Sequence, residues 1–374
     1  MRCPRCAYEG MFFDGRCPRC GYQTAMAPPT TGALLGLPQP QQYLLMRGDS
    51  LAKGRYRILG PVPLPETQRR QGRAWSALDQ ELGRRQVLIR EVLMPPELLQ
   101  RTSANQVIAQ VMERQQQLGQ HQGFPQVVDG FSERGSYFLV LTQPEGESLG
   151  TLLKRQGGAL PEAQVVHYGY QLCSLLAILA EQQPPIVHGS INPETIVINT
   201  AQQTAWLIHI PLFPPDPPVE KGDKVAAGYY APEEVRGELD PSADLYSLAA
   251  TLHHAVTGYD PNERLVFFHP PARRLNPAVS PQMEMILVRQ LSLSRAQRYP
   301  HPSAMQRDLE ALLERYLEGQ EGEAAVSASS ADPLHLPSEQ FREQARSNML
   351  LNAGVFAAIG VLLLLGVLLV LLRP

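Results

Sequence analysis

Two short stretches concentrate the side chains that could do chemistry. Near the start, Cys3-Pro-Arg-Cys6 and Cys17-Pro-Arg-Cys20 set two thiol pairs ten residues apart. Two thiolates at this spacing grip one face of a tetrahedral ion, and a second pair closes it. Four sulfur ligands leave no open position, so the zinc expected on Cys3, Cys6, Cys17 and Cys20 is structural. Disulfides or redox pairs are the other use of such cysteines. Nothing marks secretion, however, and thiols stay reduced in the cytosol. The second stretch is 188–199, His-Gly-Ser-Ile-Asn-Pro-Glu-Thr-Ile-Val-Ile-Asn. It crowds an imidazole, two hydroxyls and an amide into eight residues. Ser190 would need an adjacent base to act as a nucleophile. As a base it is useless, because a hydroxyl does not take a proton at neutral pH.

The surrounding elements follow from periodicity and turn residues. Strands are expected at 55–60, 73–79 and 86–92, and a hairpin at 126–131 and 137–142 with Glu133-Arg-Gly-Ser136 as its turn. A helix is expected at 103–118. Another at 163–180 carries Val165, Tyr168, Leu172, Leu175, Leu176 and Leu179 at three- and four-residue steps. Cys173 lies within it and reads as a buried core thiol. Helices at 283–293 and 303–317 follow.

The 188–199 stretch resembles the catalytic loop of Ser/Thr protein kinases, H-R-D-L-K-P-x-N-I-L. His188, Pro193 and Ile196 keep the scaffold letters. Ser190 stands at the base Asp, Asn192 at the Lys and Thr195 at the metal-binding Asn. The resemblance extends from 51 to 317. Val87-Leu-Ile-Arg90 is similar to V-A-I-K, with Arg90 in the place of the ATP-anchoring Lys; Arg is bulkier and forked, so the exchange is not conservative. Gly60 and Gly72 flank what would be the phosphate-covering loop. The eleven residues between them include Pro61, Pro63 and Pro65, and proline has no N–H to offer a phosphate. Both glycines read as turn residues. Glu113, or a register placing Met112 there, is the candidate partner for position 90. His209 stands at the Asp of D-F-G, and an imidazole is a poor magnesium ligand. Gly228-Tyr-Tyr-Ala-Pro-Glu233 matches the A-P-E end of the activation segment. That segment, 210–233, holds five prolines before this motif and no Ser or Thr. Gly189 replaces the Arg that would read a phosphate on it. By the same resemblance Asp244 accepts hydrogen bonds from the 188–190 backbone, Glu233 pairs with Arg298, and His188 belongs to the framework.

The implied fold class is α+β: a bilobal protein-kinase-like fold with a small N-terminal four-cysteine zinc ribbon and one C-terminal transmembrane helix. The segments are a ribbon at 1–24, a linker at 25–50, the kinase-like domain at 51–317, a flexible spacer at 318–348 and the membrane helix at 349–372. Residues 353–372 have no polar side chain, and twenty helical residues span about 30 Å, the hydrocarbon thickness of a bilayer. Arg342 and Arg346 precede the span, which predicts a cytoplasmic body. Residues 1–21 hold no apolar core segment, so no secretory leader is expected.

The 374 residues carry a net charge of −3, which implies no large basic surface and argues against a nucleic-acid protein. Losing a general base alone slows proton transfer by about 100- to 10,000-fold. Losing both magnesium ligands removes the charge clamp as well. The sequence therefore predicts a membrane-anchored pseudokinase that binds a protein partner, with ATP–magnesium binding weak or absent. The alternative is an active but divergent Ser/Thr kinase.

Overall fold

The computed structural model describes residues 45–81, 83–100, 102–215 and 227–317. The cysteine pairs, most of the linker, the spacer and the apolar C-terminal stretch lie outside these residues. The described residues divide into two compact units, one within 45–121 and 125–143 and the other within 122–124 and 144–317.

The first unit is an antiparallel six-stranded sheet with two helices. Its elements are β1 (Ser50–Leu51), β2 (Tyr56–Val62), β3 (Ala74–Asp79), β4 (Arg85–Val92), α1 (Pro96–Leu99), α2 (Ala104–Leu118), β5 (Val127–Glu133) and β6 (Ser136–Thr142). The strand order is β1-β2-β3-β4-β6-β5. Alternation along each strand sends Tyr56, Ile58, Trp75, Ala77, Val87, Ile89, Phe138 and Val140 into one apolar cluster. Leu45 joins that cluster at 3% exposure. The packed unit thus begins inside the stretch 25–50 expected as linker, because an apolar side chain ahead of β1 finds a place on the sheet.

The second unit is mostly helical. It contains β7 (Glu147–Ser148), α3 (Leu149–Arg155), α4 (Glu162–Ala180), β8 (Ile196–Asn199), β9 (Thr204–Leu207), α5 (Pro241–Thr257), α6 (Ala272–Leu275), α7 (Pro281–Gln290) and α8 (Pro302–Leu317). Strands β7, β8 and β9 form a small antiparallel sheet. Helix α4 packs on α5 and α8, and Cys173 within it is free and fully buried. By length and composition α4 could cross a bilayer, yet 56% of it is buried inside the unit, as befits a core helix. Glu162, at its first turn, accepts hydrogen bonds from Ser280 N (2.5 Å), Ser280 Oγ (2.5 Å) and Tyr316 Oη (2.5 Å), which ties α4 to α7 and α8.

Candidate functional site

The second unit builds the 188–195 loop around one buried carboxylate. Asp244, on the first turns of α5, is 2% exposed. Its Oδ2 accepts the His188 N–H at 2.7 Å and its Oδ1 accepts the Gly189 N–H at 2.8 Å. Burial pushes Asp244 up to about 7 against the pull of these two amides. His188 is fully buried, and its Nε2 donates to the Ile208 carbonyl at 2.8 Å. The Ile208 N–H donates in turn to the Thr195 carbonyl at 3.0 Å. The loop is thereby stapled to the chain that leaves β9.

The residues at the three altered loop positions bind one another. Thr195 Oγ1 accepts the Asn192 N–H at 3.1 Å and donates to the Ser190 carbonyl at 2.9 Å. Asn192 Nδ2 also donates to the Ser190 carbonyl, at 3.1 Å. Asn192 Oδ1 accepts the Glu194 N–H at 2.8 Å, closing an Asx turn across Pro193. Ser190, Asn192 and Thr195 are at most 4% exposed. The Ser190 hydroxyl is buried and makes no hydrogen bond among the described residues, so no base activates it.

His209 lies two residues beyond the end of β9. It is 8% exposed and has a φ of +61°, a left-handed conformation uncommon for a residue with a side chain. Gly189 also has a positive φ, +66°. A Cβ built there would lie 3.1 Å from Pro215 Cγ, so the prolyl ring would have to give by a few tenths of an ångström to admit a side chain. Tyr229 and Tyr230, the hydroxyl-bearing residues of the 210–233 segment, are 2% and 5% exposed. Tyr229 Oη meets His254 Nδ1 at 2.6 Å. Glu233 and Arg298 form a bidentate pair at 2.5 and 2.9 Å, both fully enclosed, and Arg298 also donates to the Ser292 carbonyl at 2.8 Å.

In the first unit, Arg90 is 1% exposed, and burial lowers its guanidinium to about 10. Helix α2 turns Val107, Val111, Gln115 and Leu118 inward. Glu113 is exposed and Met112 is half-buried, with its thioether close to Gly130. The inward polar residue is therefore the amide of Gln115, which sequence reasoning missed. Its spacing four residues after Val111 was the available signal. Gly60 sits at a β-bulge between β2 and β3, with open space where a Cβ would be. Gly72 has a φ of +130°, and a Cβ there would fall 1.9 Å from the Glu91 carbonyl oxygen. Between them, residues 66–71 form a 3-10 helix that buries Thr67, Gln68 and Gln71. An open glycine loop of free N–H groups is not what joins β2 to β3.

The donor set does not fit magnesium. Positions 190, 192, 195 and 209 supply two hydroxyls, an amide and an imidazole, and no carboxylate. The Thr195 hydroxyl and the Asn192 amide oxygen are already engaged within the loop. Among the described residues no group of three or more His, Cys, Asp or Glu could hold a metal ion.

Comparison with known proteins agrees with the family of the resemblance. No protein-family model matches the chain. It is 27% identical over 250 residues to the tyrosine-protein kinase MasK of Myxococcus xanthus, covering 58% of this chain and 36% of MasK. It is 27% identical over 207 residues to the serine/threonine-protein kinase pkn3 of the same organism, covering 49% of this chain and 37% of pkn3. It is 28% identical over 195 residues to the serine/threonine-protein kinase PknL of Mycobacterium tuberculosis, covering 47% of each chain. The chain thus spans between a third and a half of the length of these curated relatives. A solved structure, the PknI kinase domain of Mycobacterium tuberculosis, aligns with a TM-score of 0.48 at 17% identity, over 72% of this chain and 98% of that one. This protein is a sequence relative of bacterial protein kinases.

Proposed function

We propose that the chain is a pseudokinase, a kinase-fold module that binds and positions a protein partner with little or no phosphoryl transfer. The observation that carries this reading is the closed hydrogen-bond set of Ser190, Asn192 and Thr195. Phosphoryl transfer works by positioning and charge neutralisation through metal-bound carboxylates. The loop instead uses its replacement side chains to hold its own shape. His209, the buried amide of Gln115 and the 3-10 segment at 66–71 point the same way.

Two appendages complete the proposal. Cys3, Cys6, Cys17 and Cys20 hold a structural zinc, and residues 349–372 anchor the protein in a membrane, with the body on the cytoplasmic side. Anchoring raises the local concentration of the body around membrane partners.

The names of the relatives favour a second reading, an active but divergent kinase. One assay separates the two. The full chain in detergent micelles is incubated with γ-labelled ATP, magnesium or manganese, and generic protein substrates. The pseudokinase reading expects no label above a protein-free blank. Robust transfer that Ser190→Ala abolishes would establish the active kinase instead.

A further inference from the structure

Among the described residues Leu265, in the second unit, is the most exposed large apolar side chain, at 63%. Val266 beside it is 40% exposed. The two stand on a tight turn, in which the Phe268 N–H donates to the Leu265 carbonyl at 3.1 Å. Phe267 has a φ of +63°. A type II turn demands that left-handed setting at its third position and usually gives it to Gly or Asn; for a bulky aromatic residue it is strained. The rest of the unit holds the turn in place. Tyr259 Oη donates to the Phe268 carbonyl at 3.0 Å, and His253 Nε2, from α5, donates to the Pro270 carbonyl at 2.8 Å. Two apolar side chains are thus kept out in water on a tied-down turn.

The charges beside them are of one kind. Residues 264–275, Arg-Leu-Val-Phe-Phe-His-Pro-Pro-Ala-Arg-Arg-Leu, include three arginines and no carboxylate. Arg264, Arg273 and Arg274 are exposed. Arg264 adjoins the tip, its guanidinium 5.8 Å from the Tyr259 ring centroid. Glu263 precedes the stretch and Glu284 accepts the Arg273 backbone N–H at 2.9 Å, so the balance stays positive. Two apolar side chains fall far short of the roughly 800 Å² per partner that a stable protein interface buries. They suffice at a bilayer, where an apolar tip enters the acyl boundary and arginines meet anionic headgroups.

We infer, resting on the membrane anchor proposed above, that residues 264–275 dock on an anionic bilayer surface. Leu265 and Val266 enter the headgroup–acyl boundary, and the arginines lie on phospholipid phosphates. The second unit is then held on the membrane by one face.

The test places p-benzoylphenylalanine at Leu265 of the full chain, reconstituted into vesicles of phosphatidylcholine alone or of phosphatidylcholine with phosphatidylglycerol. A second preparation carries it at Ala201, exposed in the β8–β9 turn. After photolysis, lipid adducts are read by mass spectrometry. On the anionic vesicles position 265 is expected to give about tenfold more adduct than position 201, and about tenfold more than on the neutral vesicles. Arg264→Gln should lower that yield about fivefold, as one cation lost near an anionic surface requires, without shifting Tm. Equal yields at 265 and 201, equal yields on both lipids, or an unchanged yield from Arg264→Gln would overturn the inference; retention of the chain through an alkaline wash would then leave the anchor standing. Adducts from 265 to a second copy of the chain would overturn it in favour of a protein interface. Release of the chain by that wash would remove the anchor, and the docking with it.

Discussion

Thr195 Oγ1 donates to the Ser190 carbonyl at 2.9 Å while accepting the Asn192 N–H at 3.1 Å. One hydroxyl thus closes the loop across three positions. Thr195→Val keeps the shape and removes both bonds. The Ser190 carbonyl keeps its Asn192 Nδ2 donor, and the buried Asn192 N–H left without an acceptor costs about 1–3 kcal/mol. For a folded body of this length that is a fall in Tm of about 2–5 °C, read by differential scanning calorimetry. Thr195→Ser should retain most of the stability.

Asp244 is the anchor of the same loop. Asp244→Asn turns an amide N–H toward a backbone N–H that now has an acceptor. The clash of donors and the orphaned amide should cost about 2–4 kcal/mol, visible in urea unfolding. A loss below about 0.5 kcal/mol would show that the carboxylate does not hold 188–189.

Four buried groups shape the response to pH. Burial raises Asp244 from 3.8 to about 7 and Glu234 from 4.5 to about 8. The folded state binds their protons more tightly, so the stability they give is lost as pH rises toward 7–8. Burial lowers His253 from 6.5 to about 4 and His269 from 6.5 to about 3. There the unfolded state binds the protons, and stability is lost as pH falls below about 6.5. The opposed slopes cancel between about 4.5 and 6.5. A Tm profile should be flat in that window, declining above it through the acids and below it through the histidines. Asp244→Asn should shallow the alkaline side and tilt the flat window upward with pH.

The two glycines of the β2–β3 junction should separate cleanly. Gly72→Ala forces a Cβ into the Glu91 carbonyl at a φ of +130° and should cost at least about 1–3 kcal/mol. Gly60→Ala meets open space and should change stability by no more than about 0.5 kcal/mol. ATP with magnesium should not shift the melting curve of the parent or of either variant; a nucleotide-dependent shift of the parent that both variants abolish would show a working phosphate loop.

Arg298 and Glu233 pair without solvent. Arg298→Met should cost about 3–5 kcal/mol by stranding the carboxylate. Adding Glu233→Gln should recover a large part of it. A double-mutant cycle in urea checks this, and additive losses would show that the two side chains act independently.

Much of the architecture was legible because apolar periodicity is local. The α4 pattern and the strands around Val87 and Phe138 need no knowledge of partners. Ser190, Asn192, Thr195 and His209 were recognisable as altered positions from the kinase-like letters around them. Their mutual hydrogen bonds were not, because these depend on how the chain turns at Pro193. Gln115 was missed because a polar residue on an inward helical face looks solvated until the sheet beneath it is known. The proline-bearing stretch 61–71 reads as stiff loop, yet its turn buries Thr67, Gln68 and Gln71 once Gly72 meets the Glu91 backbone.

The contact of Pro215 with the space beside Gly189 bears on reversibility. A single codon change to arginine at 189 would put a long side chain on a left-handed backbone and against a prolyl ring. Removing the proline alone would leave a glycine with nothing to read a phosphate. Neither step alone makes a phosphate reader beside the loop, and residues 210–233 carry no Ser or Thr for one to read.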